Sequence, residues 1–275
     1  MDLIEKMKEL GGYWEYAGGR YLAELTSGKV SDKFLNTGVV TCRPKSLSYA
    51  VQHLIHKPVP DGVEDVDTFA VRYSYKENTY VCGPAMGGVT LAYEVARQLG
   101  GTAVFTEPVY KTVTTFDMEG DDYPRTVKDG QALKRFMIPE GATVLFVEDV
   151  ITTGKSTLEM ISAVRDATEA NFLPYVLCII NRSGLPSIGR HVKKDQAPDY
   201  YTGEITNVLA HQEFKVISLA DIEARTWNTI EEAEKAITGR MPSGKYTVPG
   251  TGTVINMAPM EAVRPKDNWA LLTGE

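Results

Sequence analysis

The sequence predicts an α/β protein: a central, mainly parallel sheet flanked by helices, with a small amino-terminal hood and a carboxy-terminal extension. Three observations predict it. Short apolar runs rich in β-branched residues alternate with segments whose apolar residues recur at helical spacing, the pattern of strands and crossover helices. The 275 residues suffice for one α/β core with elaborations. With 43% hydrophobic and 24% charged residues, the composition is that of a soluble globular chain.

The elements follow in order. Residues 1–57 open with a helix in MDLIEKMKELGG and continue into a Gly- and aromatic-rich stretch, GGYWEYAGGRYLAELTSGKVSDKFLNTG, read as the hood. Residues 58–220 form the core, with candidate strands at Thr79–Cys82, Thr102–Phe105, Thr143–Val147, Tyr175–Ile180 and Phe214–Ser218. Leu91, Ala92, Val95, Ala96 and Leu99 make one helical stripe, and Met160, Ile161, Val164 and Ala167 another; both are core-facing by spacing. Residues 107–138 are long, polar and charged, with Asp117, Glu119, Asp121, Asp122, Arg125, Lys128 and Lys134. A connection of that length is usually functional or disordered, and the reading here is a mobile hairpin. Residues 221–275 carry a helical stretch, Thr229–Ile237, then a Gly/Pro-punctuated tail expected to pack on the core or on a partner subunit.

Charge and cysteine usage narrow the function classes. A formal net charge of −7 opposes nucleic-acid coating and broad contact with anionic membranes, both of which need a summed positive field. No run reaches the roughly 18 apolar residues of a membrane helix and nothing marks export, so a cytoplasmic protein is expected. Cys42, Cys82 and Cys178 are far apart, and Cys82 and Cys178 lie inside apolar runs as small core residues, in keeping with a reducing compartment. His53, His56, His191 and His211 have no zinc-site spacing.

The chemistry concentrates in VLFVEDVITTGKST, Val144 to Thr157. A β-rich run ends in Glu148 and Asp149 at the expected carboxyl, solvent-facing end of a parallel strand, the edge where open α/β sheets bind ligands. Then TTGKST, a turn of hydroxyls and one glycine, leads into an amphipathic helix. Backbone N–H groups of such a turn converge on phosphate, with Thr152, Thr153, Ser156 and Thr157 adding hydroxyls. The first glycine of a Walker A loop is missing. Two carboxylates would repel the phosphate itself, so sugar hydroxyls or a cation are their natural partners, and the expected ligand is a ribose phosphate. A plain capping role for the acids is the alternative. A second turn, VCGPAMGGVT at Val81–Thr90, puts three glycines and a proline where backbone must approach a ligand, or where a tight turn simply needs them.

Together these stretches resemble the signature of type I phosphoribosyltransferases. That resemblance implies that Glu148 and Asp149 hold the ribose hydroxyls of 5-phosphoribosyl-1-pyrophosphate, while Thr152, Thr153, Gly154, Lys155 and Ser156 hold its 5-phosphate. Gly83, Pro84, Ala85, Met86, Gly87 and Gly88 match the family's pyrophosphate loop. The orotate branch is the most similar: LTSGKVSDKFLNTG, residues 25–38, resembles its base-binding segment, with Lys29, Phe34, Leu35 and Asn36 at the base, and IINRSG places Arg182 where an arginine meets the orotate carboxylate. Outside that setting Arg182 reads as a surface ion-pair residue. The likeness spans about residues 10–220, with an echo in ARTW and RPKDNW.

One region departs from the pattern. Orotate enzymes carry a dense Arg/Lys/His set in the mobile loop, supplied to the neighbouring subunit, whereas 107–138 is acid-rich and has no histidine. Lys111, Arg125 and Lys128 stand in for that set, with Asp149, as candidate catalytic residues. The resemblance further implies Mg²⁺ held mainly by the donor's pyrophosphate and ribose hydroxyls, a homodimer, and transfer of ribose 5-phosphate to orotate. A purine-specific transferase and a non-catalytic donor sensor are the alternatives.

Overall fold

The computed structural model describes residues 2–25, 27–60, 67–74, 76–116, 122–189, 212–239, 245–247, 254–256 and 259–274. Asp117, Glu119, Asp121, His191 and His211 lie outside them. Two compact units are present: Thr41–Ile222, and Met1–Val40 together with Glu223–Glu275. The amino-terminal segment and the carboxy-terminal extension, expected as separate pieces, thus share one unit.

The Thr41–Ile222 unit is an α/β layer structure around a seven-stranded sheet. The strands run in the order Ser187–Ile188, Phe214–Asp221, Asn171–Asn181, Thr143–Ile151, Thr79–Pro84, Thr102–Phe116 and Asp122–Ala132. The central pairs are parallel and the two outermost pairs antiparallel. Central parallel strands are covered on both faces, which is why their sequences read as unbroken apolar runs. Val144, Leu145, Phe146 and Val147 are fully buried, as are Val176 to Ile180. Helices Gly87–Leu99 and Lys155–Ala167 bury the two predicted stripes, except that the second ends at Val164 rather than at Ala167. Cys82 and Cys178 pack in the core beside Phe146 and Phe214, and burial pushes the Cys82 thiol up to about 12. Cys42, by contrast, is exposed.

Several strands outrun their predicted ends. The Thr143 strand continues through Glu148 and Asp149 to Ile151, because β-branched Val150 and Ile151 pair with Ile180 and Asn181. The run predicted to stop at Phe105 extends to Phe116 and returns as Asp122–Ala132, paired from Glu107↔Ala132 to Phe116↔Asp122 with an irregularity between Pro108 and Tyr110. Its alternating, Thr- and Val-rich sequence suits a two-stranded ribbon.

The other unit is built on a four-stranded sheet ordered Thr226–Trp227, Val30–Ser31, Tyr21–Glu24, Glu261–Val263. The tail strand pairs in parallel with the early one, Tyr21 opposite Glu261. Trp14, Leu22, Ala23, Val30, Ala233 and Met260 form its core, with Phe34 packed edge-on to Trp269 at 5.9 Å. Thr229 caps the helix Ile230–Thr238 by accepting the Glu232 N–H. Among the described residues, no helix is long and apolar enough to cross a membrane.

Candidate active site

The sheet brings three of the predicted segments to one edge of the Thr41–Ile222 unit. At its centre are Glu148 and Asp149. Glu148 is not at a solvent-facing end, as the sequence suggested: it is only 5% exposed, because the strand runs on past it. Its carboxylate accepts from the Thr157 hydroxyl at 3.1 Å. Burial pushes this carboxyl well above the usual carboxylate range and the adjacent Asp149 charge adds to the rise, while the Thr157 hydrogen bond opposes it.

The Gly83–Gly88 turn packs directly on this pair. A Cβ on Gly87 would stand 2.5 Å from Asp149 Oδ1, so any side chain there would displace the carboxylate. Gly83 and Gly88 abut each other, leaving no room for a Cβ on either. The Ala85–Met86 peptide is cis, and the Ala85 N–H donates to the Thr106 carbonyl at 2.8 Å. Met86 projects outward, 87% exposed.

The second turn leaves the acid strand at Thr152. Gly154, at φ 76°, precedes the helix Lys155–Ala167, whose first N–H groups have no acceptor within the helix. The Lys155 N–H leans on the Thr153 hydroxyl at 3.4 Å. A 13-residue helix with hydroxyls in its first turn supplies dipole and donors for an anion. Arg182 follows the neighbouring strand, its backbone N–H donating to the Ile151 carbonyl at 2.7 Å. That bond places Arg182 beside the start of this turn.

Two of the three candidate hairpin cations are engaged within the chain. Lys111 pairs with Asp129 across the ribbon, Lys128 reaches Glu159 of the following helix at 2.6 Å, and Arg125 is exposed opposite Val113. Lys155 also points at Glu159, 3.8 Å away. The predicted base segment belongs to the other unit. There Lys29 and Asn36 are exposed and Phe34 and Leu35 half-buried; the Lys29 carbonyl closes a turn onto the Leu25 N–H, and Asn36 caps the Gly38 N–H at 3.0 Å.

The model of the phosphoribosyl transferase domain matches residues 59–199, more than half of the chain. The chain belongs to the phosphoribosyl transferase family. An orotate phosphoribosyltransferase of Deinococcus radiodurans is 29% identical over 224 residues, 78% of this chain and 98% of that one. One from Thermoanaerobacter is 35% identical over 140 residues, 51% of this chain; the chain spans only 57% of that relative. Among solved structures, the Aeropyrum pernix orotate phosphoribosyltransferase matches with a TM-score of 0.47 and 19% identity, covering 86% of this chain and 98% of that one.

Within this phosphoribosyl transferase, several contacts at the site were not read from the sequence. Thr106, Gln131 and Glu159 were all passed over. Lys155 and Glu159 at i and i+4 on one helix form a pattern that could have been noticed. Gln131 gave no such signal, since its partners are 25 residues away in either direction along the chain.

Proposed function

We propose that this transferase moves ribose 5-phosphate from 5-phosphoribosyl-1-pyrophosphate to orotate, giving orotidine 5-phosphate and pyrophosphate. The observation that carries the reading is the acid pair set between a glycine turn and a hydroxyl turn. Glu148 and Asp149 face the ribose hydroxyls; Thr152, Thr153, Gly154, Lys155 and Ser156 cradle the 5-phosphate; Gly83 to Gly88 offer backbone to the pyrophosphate. Lys29, Phe34, Leu35, Asn36 and Arg182 are assigned to the base, the guanidinium taking the ring carboxylate through paired hydrogen bonds.

In the reaction the anomeric carbon loses its bond to a pyrophosphate oxygen, which leaves with the electron pair, and gains a bond to a ring nitrogen of the base. That nitrogen's proton goes to solvent. The sugar turns cationic on the way, so the protein's task is to place the base, keep water out and stabilise the departing charge. Buried Glu148 and half-buried Asp149 beside the sugar suit the cationic ribose, and Lys111, Arg125 or Lys128 suit the leaving group.

Oxygen donors are what magnesium requires, and Asp149 with Glu148 supplies them. Among the described residues, however, no group of three or more His, Cys, Asp or Glu gathers as a metal cage, so the fit is to a magnesium carried in mainly by the donor's own oxygens. Bound that way, it would neutralise charge on the departing pyrophosphate.

The test is consumption of orotate, followed by its ultraviolet absorbance on adding donor and magnesium, beside uracil, adenine and hypoxanthine. Orotate should be consumed and uracil not, since a site built around a carboxylate partner rejects analogues lacking it by roughly 10⁴-fold in favourable cases. Purine consumption without orotate turnover would refute the base assignment and leave the donor assignment standing. A donor-sensing role has one observation in its favour, the pairing of Lys111 and Lys128 with carboxylates. Donor binding without consumption of any base would decide for it. The homodimer is part of this proposal: a hairpin-dead variant mixed with one dead at Glu148 and Asp149 should recover activity in exchanged dimers.

A further inference from the structure

Gln131 lies in the stem of the hairpin, half-buried and paired with Pro108. Its amide nitrogen donates to the Ser156 hydroxyl at 3.1 Å and approaches the Ser156 carbonyl at 3.4 Å. Its amide oxygen accepts from the hydroxyl of Thr106, a fully buried residue. Thr106 in turn holds the Gly83–Gly88 turn, because its carbonyl takes the Ala85 N–H. One polar chain therefore runs from the glycine turn through Thr106 and Gln131 to the hydroxyl turn.

The direction of these bonds is settled by chemistry. A carbonyl only accepts, so the Ser156 carbonyl fixes the nitrogen end of the Gln131 amide towards Ser156. The Ser156 hydroxyl must then accept from Gln131. A serine hydroxyl has one proton, and accepting there turns that proton towards a third group.

We propose that Gln131 is a positioning residue that aims the Ser156 O–H at the ligand phosphate. The inference rests on the reading of Ser156 as a 5-phosphate contact. A methionine at this position keeps the volume and loses both hydrogen bonds. A glutamate keeps the shape, but its carboxylate only accepts, so it would draw the Ser156 proton back and set a negative charge towards the phosphate.

The experiment is a double-mutant cycle on donor affinity, measured by titration calorimetry with donor and magnesium on the full chain, beside kcat at saturating donor. Gln131→Met should weaken donor binding about tenfold, as for the loss of one hydrogen bond to a charged group, with kcat changed by less than about threefold. Ser156→Ala should cost a similar factor, and adding Gln131→Met to it should cost nothing further. Gln131→Glu should be worse than Gln131→Met, and it guards against a folding defect because it is isosteric. If Ser156→Ala weakens the donor while both Gln131 variants bind like the wild type, or if the two losses multiply, the positioning role is wrong and the phosphate reading survives. If Ser156→Ala itself binds the donor normally, the phosphate reading fails and takes this inference with it.

Discussion

Two buried glutamates in the Thr41–Ile222 unit are held in opposite ways. Glu94, on the helix Gly87–Leu99 and 8% exposed, takes the Arg97 guanidinium through bonds of 2.7 and 2.8 Å and the Gln98 amide at 2.7 Å. The Arg97 pairing, helped by Gln98 and Ser48, holds its carboxyl down to about 2. Gln98 also donates to the Ser48 carbonyl at 3.0 Å, so the network ties this helix to Pro44–Ile55. Glu148, about as buried, has a threonine hydroxyl and a second carboxylate beside it, and is pushed up. Glu94, which ties two helices together, brings its own cation; Glu148 is buried beside another negative group, at a cost to stability that fits the ribose-hydroxyl role proposed for it.

The sharpest way to break that contrast is to remove each group and measure donor binding. Glu148→Ala with Asp149→Ala should weaken the donor by about 100-fold or more, two charged hydrogen-bond partners being lost, in a protein that still folds. Glu94→Ala should leave donor affinity within about twofold, since surface and structural changes away from a site rarely reach it. Equal losses in the two variants would erase the distinction.

A smaller effect is expected at Gly87. Alanine there puts a Cβ 2.5 Å from Asp149 Oδ1, so the carboxylate must swing aside. Donor affinity should fall about tenfold, as for one misplaced charged hydrogen bond, with melting temperature nearly unchanged. Normal affinity in Gly87→Ala would mean that the position of Asp149 is not critical.

Stability against pH separates the two glutamates with the smallest expected change, about 1 kcal/mol for Glu94→Gln once the half-exposed Arg97 is allowed for. The signs are opposite. The carboxyl of Glu94 is lowered on folding, so its contribution is present above the ordinary carboxylate range and lost as pH falls towards about 2. The carboxyl of Glu148 is raised, so folding favours its protonated form, and that contribution is lost as pH rises above the ordinary range through the raised value. Thermal melts should therefore show Glu94→Gln destabilised at neutral pH and converging on wild type in acid, and Glu148→Gln gaining on wild type as pH rises. Parallel curves would undo the comparison.

The acid-pair motif was legible because its chemistry is local: strand, carboxylates, hydroxyl turn and helix follow one another within fourteen residues, Val144 to Thr157. The core strands and both helical stripes were legible for the same reason, each carrying its own periodicity. What escaped depended on distance along the chain. The burial of Glu148 follows from neighbours supplied by other strands, the Thr106–Gln131–Ser156 chain from a hairpin folding back, and the Tyr21–Glu24 sheet from a partner at Glu261–Val263. Strands of three or four residues carry too little pattern to name such a partner.

That last pairing has a consequence for synthesis. Tyr21 and Glu261 stand 240 positions apart, and the whole Thr41–Ile222 unit is translated between them. At about 5–20 residues per second, the early strand waits on the order of tens of seconds for its neighbour. During that interval the side of Tyr21–Glu24 that Glu261–Val263 will cover offers open hydrogen-bonding groups, a template for other nascent chains. The ribosome thus finishes the inserted unit before the unit that emerged first can close.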